Sequence, residues 1–383
     1  MLRTILWISL LPCLIRQSLA TEQTLKERIG RRSFPSVFQA WNPADNLKES
    51  RETTEARHDL IFHGESFFGL EWVNTHPGLS TTFTADSIKR ALERRVSLLQ
   101  KNPTLLLLIE IRYRDAHRSF LPHGHHWWKR DDKGEIVPGW EEGGYLQLDF
   151  ANPEYREQVA KQAHAVISSG VADGIMLDWW QDDADRLALA QTIRSKIGEE
   201  ALIMVNANDR STPRTAPFIN GYFMECYRSQ SKDDWKRIAD TLSWAESNLR
   251  QPRINCLETW WHKSRADHAL MRATTTLSLA LSDGYCLFSD PNTLPSPDHL
   301  HDWYPFWDTK IGRPTAKGTS RPDGAMAREF TSATVIHNPI GNPVVTVSFE
   351  GLRTSVATGK RSQIHTVPPF DGDIFIKDET AKQ

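Results

Sequence analysis

Four apolar segments of this 383-residue chain each run into a carboxylate. ADGIMLDWW at 172–180 carries Asp178, GYFMECY at 221–227 carries Glu225, RINCLETWW at 253–261 carries Glu258, and TLLLLIEIRY at 104–113 carries Glu110. In three of the four, aromatic residues follow at once. Carboxyl groups at the C-terminal ends of parallel strands are what a (β/α)8 barrel collects into one site. Two such groups in different protonation states can do general acid–base or nucleophilic work across a glycosidic bond. Tryptophans beside them suit a substrate with flat apolar faces, such as a sugar ring.

Alternation of side chains along a strand tests which acids share a face. Asp178 falls with Met176 and Gly174, Glu225 with Phe223 and Gly221, Glu110 with Leu108 and Arg112, and Asn206 with Asn208 and Met204. If those faces point into a barrel mouth, Ile175, Leu177, Tyr222 and Met224 are left to meet helices. The expected mouth then holds Glu110, Arg112, Asp178, Asn206, Asn208, Glu225 and Glu258. Asp178 is assigned as nucleophile or base and Glu225 as general acid, its proton held by apolar neighbours such as Phe223 and Tyr227. Glu258 is the rival acid. Arg112 beside Glu110 makes Glu110 a substrate binder or site organiser rather than an acid. The alternative reading of any one of these carboxylates is a helix cap or an arginine partner. Tyr227, Trp180, Trp260, Trp261, His126 and Trp128 are further candidates for sugar contact, with Trp140 and Trp179 available to the same wall.

LPHGHHWW at 121–128 offers His123, His125 and His126, and His-x-His with a distant third ligand can hold zinc. Metal-dependent barrel hydrolases of the amidohydrolase kind place that motif at the end of the first strand, whereas here the first strand ends in Gln39-Ala40-Trp41-Asn42. Stacking and hydrogen bonding to hydroxyls account for the triplet more simply, and no cofactor or metal is called for. There is no G-x-S-x-G elbow, no phosphate loop and no dinucleotide fingerprint.

The elements that must carry these residues alternate. Strands are expected at 34–41, 67–72, 104–113, 172–180, 201–208, 221–227, 253–261 and 285–290. Helices are expected near 51–62, 85–100, from Asn152-Pro153, at 183–197, 233–249 and 267–281. The interval after 201–208 reads as a loop, and 114–144, rich in His, Trp and Gly, is a long functional loop. Eight strands alternating with helices predict a (β/α)8 TIM barrel. From about Ala325 the composition turns β-like without helical patterning, which predicts a small antiparallel β domain. The division is therefore a signal peptide at 1–20, a barrel at 21–324, and a β domain with its tail at 325–383.

Residues 1–20 (MLRTILWISLLPCLIRQSLA) have a basic start, an apolar stretch too short to span a bilayer, and small residues before a cleavage point. A secreted or periplasmic location is the expectation. Of four cysteines, Cys13 falls in that leader; Cys226, Cys256 and Cys286 read as buried thiols rather than a disulfide framework. A net charge of −2 gives no reason to expect a nucleic acid or a membrane as partner, and the oligomeric state is left open. The 14 tryptophans are the compositional outlier.

ADGIMLDWW, GYFMECY and LDFANPEYRE at 148–157 together resemble the (β/α)8-barrel glycoside hydrolases classed as hypothetical glycosyl hydrolases, with polygalactosaminidase-like relatives. REFTSATVIHNP at 328–339 is similar to the β domain that often follows such barrels. The resemblance spans most of 34–350 and implies a catalytic Asp ending the fourth strand, here Asp178. It also implies an acid ending the sixth or the seventh, here Glu225 or Glu258. Three functions stay in play. The first is a glycosidase on an extracellular poly- or oligosaccharide. The others are a non-catalytic carbohydrate-binding barrel and a metal-dependent hydrolase using His123–His126.

Overall fold

The computed structural model describes residues 24–291 and 299–378; the expected leader at 1–20 lies outside them. Eight parallel strands form one sheet: β1 (Phe38–Ala40), β2 (Leu60–His63), β3 (Leu106–Glu110), β4 (Gly174–Leu177), β5 (Leu202–Asn206), β6 (Gly221–Cys226), β7 (Cys256–Trp260) and β8 (Tyr285–Ser289). The sheet closes between its ends, where Val37 bridges Cys286 in parallel and Cys286 N donates to Ser36 O at 2.9 Å. The strands are short apolar runs buried on both faces, as parallel strands covered by helices must be. Inside, Phe38, Phe62 and Phe223 fill the barrel, with ring centroids 5.0–6.1 Å apart. Outside, Tyr222 lies 6.2 Å from Trp244, so the expected split of the β6 faces holds. Cys226, Cys256 and Cys286 are buried and unbridged.

Helices α1 (Leu25–Arg31), α2 (Arg51–Glu55), α3 (Ala85–Lys101), α4 (Pro153–Ser168), α5 (Ala184–Ile197), α6 (Lys232–Asn248) and α7 (His268–Leu281) cover the barrel. Most start where a short polar side chain takes an orphan N–H. Asn152 caps α4 ahead of a first-turn proline, Asp183 caps α5, and Ser231 with Asp234 forms a capping box on α6. Between β5 and β6 runs only a short 3-10 turn, Ala216–Phe218.

One expected strand is misplaced. Phe67–Trp72 is not a strand; β2 is Leu60–His63, overlapping the end of the stretch read as a helix near 51–62. That helix stops at Glu55, and Leu60-Ile61-Phe62 is too short and too uniformly apolar for its periodicity to tell strand from helix. Phe67 is instead buried in a 3-10 turn, stacked on His63 at 4.3 Å.

The long 114–144 loop is anchored by a two-stranded antiparallel ribbon, Asp115–His117 with Tyr145–Gln147. Downstream, β9 (Thr319–Ser320), β10 (Met326–Glu329), β11 (Ala333–Asn338), β12 (Val345–Ser355), β13 (Arg361–Val367) and β14 (Asp371–Lys377) form an antiparallel sheet in the order β9-β10-β11-β14-β12-β13. It docks on α7: Arg272 holds Asp371 through two bonds of 2.8 and 2.7 Å. A Cβ on Gly372 would fall 1.9 Å from Thr276 Oγ1, so the backbone needs glycine there.

Candidate active site

A cleft of about 890 Å3 opens at the C-terminal ends of the barrel strands. Of the residues assigned from sequence, Glu110, Arg112, Asp178, Asn206, Asn208, Glu225 and Tyr227 line it. Glu258, His126, Trp128, Trp180, Trp260 and Trp261 do not.

Asn206 ends β5 between the two principal acids. Its Nδ2 donates to Asp178 Oδ1 at 2.8 Å and to Glu225 Oε2 at 2.8 Å. One trigonal NH2 group with both hydrogens used in this way sets those two oxygens about 5 Å apart. Asp178 Oδ1 also accepts from Trp179 N at 2.9 Å, so both bonds given to Asp178 fall on one oxygen and Oδ2 is left for a reacting partner. Asn208 Nδ2 donates to the Glu225 carbonyl at 3.0 Å and ties the end of β6 to the end of β5.

Burial raises both acids, and their neighbours separate them. Glu225 is pushed up to about 8, first by burial and then by the charges of Asp178 and Glu258, against the pull of His299 and Asn206. Asp178 reaches about 6, raised by burial and by Glu110 and lowered by Asn206, Arg112 and the Trp179 N–H. Glu110 is also raised by burial, with Arg112 and Trp41 pulling the other way. Arg112 Nη1 stands 3.1 Å from Glu110 Oε1, and its guanidinium lies over the Tyr145 ring at 4.9 Å. Trp41 Nε1 donates to Glu110 Oε2 at 3.0 Å.

Backbone strain gathers here. Trp41 after β1, Trp179 after β4, Asn208 after β5 and His299 after β8 all hold left-handed φ between 50° and 55°. Such conformations persist where the surroundings over-determine them, and they cluster at functional sites. The turn at Trp179 decides which tryptophan meets the cleft. Trp179 is 47% exposed, with Arg114 over its ring at 4.5 Å. Trp180 is turned into the core, where Nε1 donates to Thr215 Oγ1 at 3.1 Å.

The other assigned aromatics have structural posts. Trp128 is buried with Nε1 donating to Pro122 O. Trp261 is buried edge-on to Phe288 and under Arg265. Trp260 is partly buried, 5.9 Å from Tyr227. His126 sits on the surface, stacked on His125 and paired with Glu154 at 3.0 Å. Among the described residues no three His, Cys, Asp or Glu side chains gather as a metal site would need. The aromatic lining comes instead from Trp41, Trp72, Phe120, Trp140, Tyr145, Trp179 and Tyr227. A large indole packs wherever it can bury its faces, so proximity in sequence to an acid does not place it beside that acid in space.

Glu258 lies in the middle of β7 rather than at its end and is fully enclosed, with Ser289 Oγ donating to its Oε1 at 2.6 Å. His299, missed in the sequence reading, fills the space between it and Glu225. Its Nδ1 is 2.8 Å from Glu258 Oε1 and its Nε2 is 4.0 Å from Glu225 Oε1. A signal existed in the His-Leu-His run 299–301 shortly after the eighth strand, but nothing in its spacing pointed to the acids.

No family model and no curated protein matches the chain. Among solved structures it is similar to an α-amylase from Lactobacillus plantarum, at 11% identity and TM-score 0.53 over 93% of this chain and 100% of that one. It is also similar to a maltogenic α-amylase from Thermotoga neapolitana, at 10% and 0.54 over 90% and 99% of the two chains. A third is an α-amylase from Malbranchea cinnamomea, at 10% and 0.54 over 92% and 97%. At such identities the likeness is one of fold. The chain folds as a (β/α)8 barrel with a C-terminal antiparallel sheet, an architecture it shares with those enzymes.

Proposed function

We propose that the protein is a glycoside hydrolase working with retention of anomeric configuration, Asp178 as nucleophile and Glu225 as general acid. The observation that carries this is the Asn206 amide, which holds one oxygen of each acid at 2.8 Å. Retaining enzymes keep their two carboxyl groups about 5–5.5 Å apart, whereas inverting ones need about 6.5–9.5 Å to admit a water. In the first step Glu225 gives its proton to the glycosidic oxygen while Asp178 Oδ2 bonds to the anomeric carbon and the leaving group departs. In the second, the Glu225 carboxylate takes a proton from water as that water displaces Asp178. The roles suit the environments: at neutral pH the Asp178 midpoint near 6 leaves it ionised, and the Glu225 midpoint near 8 leaves it protonated.

Glu110 and Arg112, paired at the cleft wall, are suited to hydroxyl groups of the bound sugar, and the aromatic lining to its ring faces. That the fold neighbours are α-amylases supports glycosidic bonds as the target class without selecting a sugar for this chain. The leader-like residues 1–20 support an extracellular poly- or oligosaccharide. The test is the proton NMR spectrum of the first product released by wild-type protein. The anomer present before mutarotation should match the bond cleaved, and the opposite anomer would contradict retention. Binding of polysaccharide without any turnover would favour a carbohydrate-binding barrel.

A further inference from the structure

Glu258 and His299 are buried ionisable groups that this mechanism leaves unused. Glu258 is fully enclosed, its Oε2 has no hydrogen-bond partner, and its Oε1 meets Ser289 and His299. A carboxylate withdrawn from water is tolerated only with a partner of matching geometry, and His299 supplies one at 2.8 Å. The imidazole has little freedom. Trp41 stacks on it at 4.9 Å with 25° between planes, Phe223 meets it edge-on at 5.6 Å, its backbone holds a φ of 55°, and its carbonyl faces His301 Nδ1 at 3.2 Å. With Nδ1 committed to Glu258, the other ring nitrogen is the one that faces Glu225, 4.0 Å away.

We propose that His299, aimed by Glu258, is a positioning residue that controls the protonation of Glu225. Its catalytic meaning rests on the reading of Glu225 as the acid; the electrostatic arrangement does not. Among the described residues the imidazole faces Glu225 from β6 and Glu258 from β7, with His301 on its own backbone carbonyl. Asp178 lies across Asn206 from Glu225. In this set the imidazole favours the Glu225 carboxylate, while Glu258 and Asp178 oppose it. The pair therefore balances an acid that burial alone would leave too reluctant to part with its proton.

The test is a carboxyl-carbon NMR titration of the full chain labelled at its glutamate carboxyl carbons, with the Glu225 resonance assigned by its loss in Glu225→Gln. In His299→Gln the Glu225 midpoint should rise by about one pH unit, the size of effect an opposite charge at this range exerts. In Glu258→Gln the imidazole loses the carboxylate that aims it and favours its charged form; because His299 bears on Glu225 more strongly than Glu258 does, the midpoint should rise there too, by less. A merely structural role would admit water and lower the midpoint in both variants, so the rise in His299→Gln is the discriminating result. A folded His299→Gln with an unchanged or lower midpoint would overturn the proposal. Should that variant not fold, an unchanged or lower midpoint in Glu258→Gln would do the same. The titration needs no substrate, so an inactive wild-type protein would remove the glycosidase reading while leaving this outcome intact.

Discussion

At the scale of single residues, the site depends on Asn206 as much as on its acids. Replacing Asn206 with Ala removes the donor that both carboxylates share. Misplacing reacting groups by about an ångström costs about 10²-fold, so kcat should fall by about that factor, with KM changing less. Steady-state kinetics at neutral pH checks it. A second prediction follows from the raised midpoint of Glu225. An acid whose folded-state midpoint lies above its unfolded one gives stability that is complete below the unfolded midpoint, about 4.3. That stability is lost as pH rises through the folded midpoint near 8. Glu225→Gln should therefore melt several degrees above wild type at pH 8–9 and lose that advantage toward pH 4, read by thermal unfolding across pH. Strand parity had placed Asp178, Glu225, Glu110 and Asn206 on one face, and all four line the cleft. Parity fails two residues past β4, where the left-handed turn at Trp179 sends that ring to the cleft and turns Trp180 into the core.

At the scale of elements, the cleft wall is made by the ribbon that follows β3. Asp115, buried at its base, accepts from Trp140 N at 3.0 Å and from Arg114 at 2.6 Å, so the backbone bearing Trp140 is pinned to the strand. Gly139 lets the two approach: a Cβ there would sit 2.7 Å from Asp115 Cβ. Gly139→Ala should push Trp140 and Tyr145 away from the cleft and destabilise by about 1–3 kcal/mol. The kinetic signature would be a raised KM with a smaller change in kcat, since the acid pair stands on other strands. The sequence showed a long segment here but not a ribbon, because its pairing is set by turns and single contacts rather than by a periodic pattern. Helices were easier. The helices expected from Asn152-Pro153, at 183–197 and at 233–249 begin within a residue of the observed starts of α4, α5 and α6. The four-residue β2 carried no such mark.

At the scale of the whole molecule, the C-terminal sheet packs on the barrel through α7, with Trp235 of α6 set against His337 and Phe370. Arg272, half-buried, spends two hydrogen bonds on Asp371, which is 4% exposed. Removing one partner of such a pair leaves an uncompensated charge and costs about 3–5 kcal/mol. Arg272→Ala should lower the unfolding midpoint in denaturant by a corresponding amount, and because the sheet is packed on the helix, barrel and sheet signals should still fall together. Separate transitions would show two independently folding units. Composition alone signalled the β character of this sheet; its seat on α7 depended on Gly372, a residue whose meaning appears only when Thr276 lies against it.

The central claim is that Asp178 and Glu225 cleave a glycosidic bond together. It is met most directly by reducing-end release from a panel of polysaccharides at pH 4–10, with Asp178→Asn and Glu225→Gln run beside wild type. The account predicts wild-type release that falls away below about pH 6, as Asp178 takes a proton, and above about pH 8, as Glu225 loses one. It also predicts losses of at least about 10²–10⁴-fold in each variant. Wild-type release left intact in either variant would contradict it.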